Sequence, residues 1–186
     1  MTGSKDEYAE KARLFLECAA IGDGAIEGLE NIGFFEAPES KYHHLAEPCG
    51  LMRHSVNVTD WLLKLTAAGV VSWDCASSPY RIGMLHDLVK CKCYAVDPLC
   101  SRDEPIRYVY RQTGYVGHGA ASALIAMSVV GISLLPVECA CIVHHMGAFR
   151  LDDWQLKEYN AALDQFPREL IATHTADMLA SRVDEV

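Results

Sequence analysis

The sequence lacks any apolar run as long as the ~18–20 residues that a membrane-spanning helix needs. Its longest apolar stretch, residues 123–137, is interrupted by Ser128, Gly131, Ser133 and Pro136. The N-terminal residues MTGSKD also lack the apolar segment of a secretory leader. We therefore expect a soluble, cytoplasmic protein with no membrane partner.

Basic residues are few, with 16 Lys and Arg against 25 Asp and Glu, and the formal net charge is −9. This acidity argues against a large nucleic-acid interface, which normally needs a basic patch. A nucleotide is compatible with it, because a bound metal ion would supply positive charge that the side chains do not. Low-complexity tracts, repeats and Pro/Gly/Ser-rich linkers are absent, which predicts a single domain over residues 1–186.

The eight cysteines include no Cys-x-x-Cys pair. The spacings of Cys91 to Cys93 and of Cys139 to Cys141 do not suit a standard zinc knuckle, which disfavours a structural zinc site. Without a secretory leader, the cysteines are expected to be reduced thiols. Cys139 and Cys141 are expected to pack as small apolar groups.

The chain is rich in apolar residues at helical spacing, and 51% of its residues are hydrophobic. This spacing predicts helices at residues 5–20, 25–32, 50–68 and 117–130, and helices that start at Ser78-Pro79, Pro136 and Pro167. In the helix that starts at Ser78-Pro79, Ser78 is expected to be the N-cap, and the helix is expected to continue through His86 and Asp87 to Val89. Residues 33–48 are expected to form a loop. The alternation in residues 106–111 predicts a short strand or a β-ribbon near 106–116. The fold expected is therefore an all-α bundle of about six to eight helices.

Histidine and aspartate recur along this pattern as a set of potential metal ligands, namely His54, His86, Asp87, His118, His144, His145 and Asp177. Imidazole and carboxylate groups together bind hard and borderline divalent ions. The set is spread over separate helical segments, and facing helices of a bundle build metal sites from inward-projecting side chains. The pattern therefore predicts a central, hydrolytic two-metal centre.

Five stretches carry a family resemblance, and they are GLMRHSVNV (50–58), MLHDLVK (84–90), GHGAAS (117–122), HHMG (144–147) and HTADMLAS (174–181). On these residues the chain resembles the HD-domain superfamily of metal-dependent phosphohydrolases. It is similar in particular to small stand-alone HD hydrolases of bacteria and their phages, including the loop GFFEAP (33–38) followed by Tyr42-His43. The resemblance covers residues 33–183 and implies an HD-type helical core, with the N-terminal helices within 5–32 packed on it.

The resemblance also implies how the ligands divide between two divalent ions. The first ion would be held by His54, His86, Asp87 and Asp177. The second would share Asp87 and be completed by His118 and His145. His145 is preferred over its neighbour because the family's histidine directly precedes a Met-Gly-like pair, so His144 would either join the second ion or support it. The ions compatible with this mixed set are Mn, Fe, Co, Ni, Zn and Mg.

Further residues are expected near these ligands. Lys90 follows Asp87 by three positions and would contact a phosphate or steady Asp87, although a solvated helix lysine is the equal alternative. His174 precedes Asp177 by one turn and would orient it or donate to the substrate. Ser122, four residues after His118, is a candidate to support a metal ligand from outside the metal site. Asp87, Lys90 and His174 are thus the candidate catalytic residues.

Arg111 and Arg150 are candidates for substrate contact, because the guanidinium fork suits phosphate. His43 is a further candidate, and for His43 and His44 a role in the loop and a role in lining a cleft are equal alternatives, because loops carry much binding function. The alternative for each arginine is an ordinary surface position. The chain also departs from its relatives, with Ala120-Ala121 where they often have Glu-Lys and Cys49-Gly50 where they often have Gly-Gly. These departures weaken any transfer of substrate from the family.

The function expected is hydrolysis of a phosphate ester or anhydride of a small nucleotide by a metal-activated water. One alternative is a phosphodiesterase or 3′-to-5′ exonuclease acting on nucleic acid ends, which the acidic charge disfavours. A second alternative is a non-hydrolytic HD protein, either a di-iron oxygenase or a sensor, because fold does not determine function.

Overall fold

The computed structural model describes residues 4–101, 103–149 and 151–185. Nine α-helices lie in these ranges: α1 Lys5–Cys18, α2 Asp23–Asn31, α3 Gly50–Ala67, α4 Ser78–Leu85, α5 Lys90–Cys93, α6 His118–Ser128, α7 Pro136–His144, α8 Asp153–Gln165 and α9 Pro167–Leu179. A π-helical turn, Ala180–Asp184, follows α9 directly. In the described residues no helix combines the length and the hydropathy needed to cross a bilayer.

The prediction of an all-α bundle with a short ribbon is confirmed. Apart from the four-residue α5, each of the nine helices has at least eight residues. The ribbon consists of β1 Tyr94–Val96 and β2 Tyr108–Tyr110, paired antiparallel so that Tyr94 faces Tyr110 and Val96 faces Tyr108. Only β2 falls in the region expected from the alternation, because β1 directly follows α5 and has too few residues to show a pattern of its own.

The ends of two helices follow from local capping. The Ser4 hydroxyl accepts a hydrogen bond from the Glu7 backbone, and Glu7 accepts one from the Ser4 backbone, which closes a capping box at α1. Asp152 and Gln155 form the same arrangement at α8. Helix α8 was not predicted from the sequence, because none of its residues is buried and it therefore lacks a pronounced apolar stripe.

The start of α4 differs from the prediction by one residue. Ser77, and not Ser78, is the N-cap, and Pro79 lies in the first turn. The Ser78 hydroxyl is buried and donates instead to Glu138 of α7 over 2.8 Å. The side chain expected to cap α4 therefore ties α4 to α7.

The apolar core has two parts, and α3 and α4 contribute to both. The larger part joins α1, α2 and α6 to Leu51, Met52 and Val56 of α3. The smaller part joins α7, α8 and α9 to Val58 and Leu62 of α3. Helix α3 is therefore buried along much of its length, and His54 is among its buried residues.

All eight cysteines are free thiols in the described part of the chain. Cys141 is buried in the smaller core part, and Cys139 packs against the larger one. Both thus fill apolar space in the core, as small hydrophobic groups do.

Candidate metal centre

Five elements bring the predicted ligands together at the centre of the bundle. α3 carries His54, the turn after α4 carries His86 and Asp87, and α9 carries Asp177. His118 is the first residue of α6 and His145 directly follows α7. All the predicted ligands except His144 converge there, and His54, His86, Asp87 and His145 are buried.

His86 and Asp87 lie beyond the end of α4, whereas the sequence predicted that they continue the helix. α4 ends at Leu85, and the next residues form a tighter turn in which Lys90 donates its backbone N–H to the Asp87 carbonyl oxygen over 2.9 Å. Such i to i−3 bonds are those of a 3₁₀ turn. The turn presents His86 and Asp87 together to the facing helices.

Two glycines allow the helices around the centre to approach closely. A Cβ atom on Gly83 of α4 would lie 2.8 Å from the Thr59 Cα atom of α3. A Cβ atom on Gly119 of α6 would lie 2.3 Å from the Val143 carbonyl oxygen of α7. These contacts hold α3 against α4 and α6 against α7, and they set the spacing of the histidines that those helices carry.

The Asp87 carboxylate lies between two groups of imidazoles. Its Oδ1 atom is 2.5 Å from His118 Nε2 and 3.3 Å from His145 Nε2. Its Oδ2 atom is 3.5 Å from His86 Nε2 and 3.9 Å from His54 Nε2. One carboxylate thus presents one oxygen to each group of imidazoles.

Backbone carbonyl groups orient two of the histidines. His86 Nδ1 donates to the Gly83 carbonyl oxygen over 2.9 Å, and His145 Nδ1 donates to that of Ile142 over 2.7 Å. The proton on Nδ1 leaves Nε2 of each ring free to face the centre. The Nε2 atom of His145 is buried and has no hydrogen-bond partner among the described residues.

His54 is oriented by a carboxylate. Its Nδ1 atom lies 3.0 and 3.1 Å from the two carboxylate oxygens of Glu185. Its Nε2 atom is 3.3 Å from His86 Nε2 and 3.3 Å from Asp177 Oδ1. Because the Nδ1 atoms of His54 and His86 are both occupied, their Nε2 atoms need a proton or a cation between them.

These spacings suit metal coordination. Ligand atoms that bind one ion at about 2.0–2.2 Å lie roughly 3.0–3.5 Å from one another. The groups His54, His86, Asp177 and His86, Asp87, His145 each offer three donor atoms that lie within 4.8 Å of one another. A third such group is formed by Glu39, His44 and His54. The nitrogen and oxygen donors present therefore fit one or two divalent ions.

Burial and neighbouring charges shift the pKa values of the buried histidines in opposite directions. Burial lowers the pKa of His86 to about 4, although Asp87 opposes this shift, so His86 is neutral near pH 7. Burial also disfavours the cationic forms of His54 and His145. The carboxylates, chiefly Glu39 for His54 and Asp87 for His145, outweigh burial and raise both pKa values. A proton on these rings therefore occupies the place that a metal cation would take.

Asp87 stays ionised despite its burial. Burial would raise its pKa, but the Lys90 ammonium and the His118 ring hold the pKa well below its ordinary value. Lys90 Nζ lies 2.8 Å from Asp87 Oδ2 and also contacts Glu39 Oε1. The two carboxylates outweigh burial and raise the pKa of Lys90, which keeps it protonated. Lys90 is thus an internal counter-ion for Asp87 and Glu39.

His174 and Ser122 hold the turns that carry the ligands. His174 Nδ1 donates to the His145 carbonyl oxygen over 2.9 Å, and its ring packs on Gly147. The Ser122 hydroxyl accepts from the Val89 backbone N–H and donates to the His118 carbonyl oxygen, each over 3.2 Å. His174 thus supports the turn at His145, and buried Ser122 links the turn after Asp87 to α6.

The other candidates lie farther from the centre. The half-buried His144 ring packs edge-on against Tyr159 of α8 with 5.7 Å between ring centroids, and burial lowers its pKa. Arg111 is exposed just after β2, and Arg150 lies outside the described residues. His43 is exposed and lines the cleft beside the centre.

This cleft has a volume of about 330 Å³. Asp87, Lys90 and Asp177 lie at its inner side together with Glu39. The rest of its lining is contributed by His43, His44, Met146, Met178, Ser181 and Arg182. A groove of similar volume between α1 and α3 holds none of the potential ligand groups found in the described residues. The cleft therefore connects solvent with the candidate ligands Asp87 and Asp177.

Glu39, His44 and Glu185 belong to the site, but the sequence pattern predicted neither carboxylate and left His44 between a loop role and a cleft-lining role. Glu39 is 1% exposed, and its Oε2 atom has no hydrogen-bond partner among the described residues. His44 had one signal, its position beside His43 in the loop that carries the family resemblance. Glu39 and Glu185 had none, because a single acidic residue in a loop or after a helix is ordinary on a protein surface.

Comparisons of the chain with protein-family models, with curated proteins and with solved structures give no match. The function must therefore be argued from the side chains of the site. Several imidazoles gathered around an ionised carboxylate and open to a cleft are suited to binding divalent metal.

Proposed function

We propose that this chain is a divalent-metal-dependent phosphohydrolase of the HD-domain type that acts on a small phosphate ester such as a nucleotide. The observation that carries the proposal is the position of Asp87, whose two oxygens face separate groups of imidazoles. One ion would be held by His54, His86, Asp87 and Asp177. A second would be held by Asp87, His118 and His145.

When bound, such ions supply Lewis-acid activation of a water and neutralise the charge that builds on the phosphoryl oxygens. The protein's own part is to keep the ligands in place and in the correct protonation state. His86 is neutral near pH 7, and Asp87 is ionised because Lys90 balances its charge. Lys90 is already shared by two carboxylates, so its proposed role is to position Asp87.

The cleft supports a small substrate. Its volume of about 330 Å³ suits a molecule of the size of a mononucleotide. Arg182 and His43 at the rim are exposed and can contact an anionic group, while Met146 and Met178 offer apolar surface to an organic moiety. The formal net charge of −9 favours this reading over a nucleic-acid polymer.

The test begins with the metal content of purified protein and with phosphate release from a nucleotide panel under added Mn, Co, Ni or Mg. We expect roughly two ions per chain and turnover of one nucleotide class. Metal binding with oxygen uptake but no phosphate release would support the oxygenase alternative instead. Metal binding with neither reaction would support a sensor.

The adjacent histidines provide a matched pair of variants. We expect His145→Ala to abolish turnover and to remove about one ion per chain, because its Nε2 atom faces Asp87. We expect His144→Ala to keep both ions and most of the activity, because His144 packs against Tyr159. The reverse result would contradict the proposed ligand set.

A further inference from the structure

The chain turns back onto α3 after its last α-helix. The π-helical turn Ala180–Asp184 is wider than an α-helical turn, and such turns are frequent at functional sites. At its end Asp184 Oδ2 accepts a hydrogen bond of 2.7 Å from the Trp61 indole N–H. The next residue, Glu185, reaches the metal-facing part of α3. Two adjacent carboxylates thus anchor this segment to one helix.

The Glu185 carboxylate is buried against polar partners, and its side chain is 1% exposed. Its oxygens lie 3.0 and 3.1 Å from His54 Nδ1, and Oε1 accepts a bond of 2.9 Å from the Asn57 side-chain amide. Asn57 in turn accepts a bond of 3.1 Å from the Tyr8 hydroxyl of α1. The Glu185 carboxylate is thus held by two residues of α3, and one of them, Asn57, is held in turn by α1.

His54 differs from the other buried histidines of the centre in the group that its Nδ1 atom contacts. His86 and His145 donate from Nδ1 to backbone carbonyl oxygens, which carry no formal charge. A carboxylate on Nδ1 keeps the proton there, holds the ring orientation and makes the opposite nitrogen a stronger donor to metal.

We propose that Glu185 is a positioning residue that keeps His54 protonated on Nδ1 and directs its Nε2 atom at the first metal ion. This inference rests on the proposed function, because it assigns His54 as a ligand. Affinity for the ion therefore depends on the segment after α9, and Asn57 and Tyr8 hold the carboxylate in place.

The experiment compares Glu185→Gln with Asp184→Asn. Both remove one negative charge from the same segment, and both keep a side-chain oxygen as hydrogen-bond acceptor, but only the first changes the partner of His54. Affinity for Co²⁺ is measured by chelator competition, and the visible absorption of bound Co²⁺ reports its ligand set. We expect affinity to fall about tenfold in Glu185→Gln, with a changed spectrum. We expect Asp184→Asn to stay within about twofold of the parent protein, with an unchanged spectrum.

Equal affinity of Glu185→Gln and the parent protein would overturn the inference and leave the proposed metal centre intact. Equal losses in both variants would also overturn it, because they would reflect docking of the segment or net charge. A parent protein that binds no Co²⁺ would instead overturn the proposed function.

Circular dichroism in the presence of chelator checks that each variant folds. Should Glu185→Gln not fold, Asn57→Ala tests the same link, because it removes the amide that orients Glu185 while alanine favours the helix. We then expect a fall of about threefold in Co²⁺ affinity, smaller than the effect of losing the carboxylate. An unchanged affinity would overturn the inference.

Discussion

Asp87 depends on its neighbours to remain ionised in the interior. A buried carboxylate without a counter-charge would take up a proton, since burial penalises the charged form. Lys90 and the surrounding imidazoles prevent this, and Lys90 also contacts the buried Glu39. Charge balance at single residues therefore decides whether the centre can bind a cation at neutral pH.

Removal of Lys90 tests this balance. We expect Lys90→Met to lower the free energy of unfolding of the metal-free protein by roughly 3 kcal/mol, because Asp87 and Glu39 would be left as buried charges without their partner. Added divalent metal should restore part of the loss, since a cation replaces the missing charge. Urea denaturation with chelator and with metal measures both effects.

Lys92→Met is the control, because the structure records no ion pair for Lys92 within the described residues. We expect it to change the free energy of unfolding by less than about 0.5 kcal/mol. A Lys90 variant as stable as this control would contradict the role of Lys90 as internal counter-ion.

At the scale of elements, the centre depends on how closely the helices approach. The first turn of α6 and the last turn of α7 meet at Gly119, and this contact brings His118 and His145 to the same oxygen of Asp87. In the GHGAAS stretch (117–122), His118 is the candidate ligand, but the second glycine, Gly119, is what permits the contact.

Gly119→Ala should separate these helices. Its Cβ atom would lie 2.3 Å from the Val143 carbonyl oxygen, so the backbone must shift. We expect a loss of about 1–3 kcal/mol in the free energy of unfolding and weaker binding of the second ion. Thermal unfolding and metal titration check the two effects.

Gly24→Ala in α2 is the matched control. No atom lies within 4 Å of the added Cβ position there, and alanine is the better helix former. This variant should be neutral or slightly stabilising. A Gly119 variant that behaved in the same way would show that the close approach of α6 and α7 is not needed.

At the scale of the whole molecule, the two core parts protect buried thiols. Burial raises the pKa of Cys141 to about 12 and that of Cys91 to about 12. The thiolate is the reactive form, so the raised pKa values lower the reactivity of both thiols at pH 8. Cys18, in contrast, is exposed at the end of α1.

Thiol labelling at pH 8 should therefore modify exposed Cys18 well before Cys141, which should react only when the fold opens. Bound metal should slow the labelling of Cys141, because a ligand of the folded state lowers the population of the open state. Mass spectrometry of digested protein identifies the labelled residue. Labelling of Cys141 as fast as that of Cys18 would contradict the burial of the smaller core part.

Stability should also fall at alkaline pH. The raised pKa values of Cys141 and Cys91 mean that above about pH 9 the unfolded chain binds fewer protons than the folded one. The contribution of these thiols is fully present below about pH 9 and is lost as pH rises towards 12. Urea denaturation at pH 8 and pH 10 should show this loss, and Cys141→Ala should reduce it.

The sequence by itself determined the helical class, the ribbon strand β2 and the residue types of the centre. Helical periodicity depends on the order of residues along the chain, and the capacity to bind metal depends on the type of side chain. Both can therefore be recognised in a sequence before the fold is known. The preference for His145 over His144 came from a family pattern, and it agrees with the two ring positions. The missed helix α8 had no buried residue from which it could be read.

Only the tertiary structure decided which charges meet. Glu185 lies 131 positions from His54 in the chain, and Glu39 lies 51 positions from Lys90, so no local pattern connects them. The same holds for Ser78, whose hydroxyl bonds Glu138 instead of capping its own helix. Such contacts depend on helix packing and on where each helix ends. Burying a charged or polar group costs free energy unless it has a partner, and the fold decides which partner lies within reach.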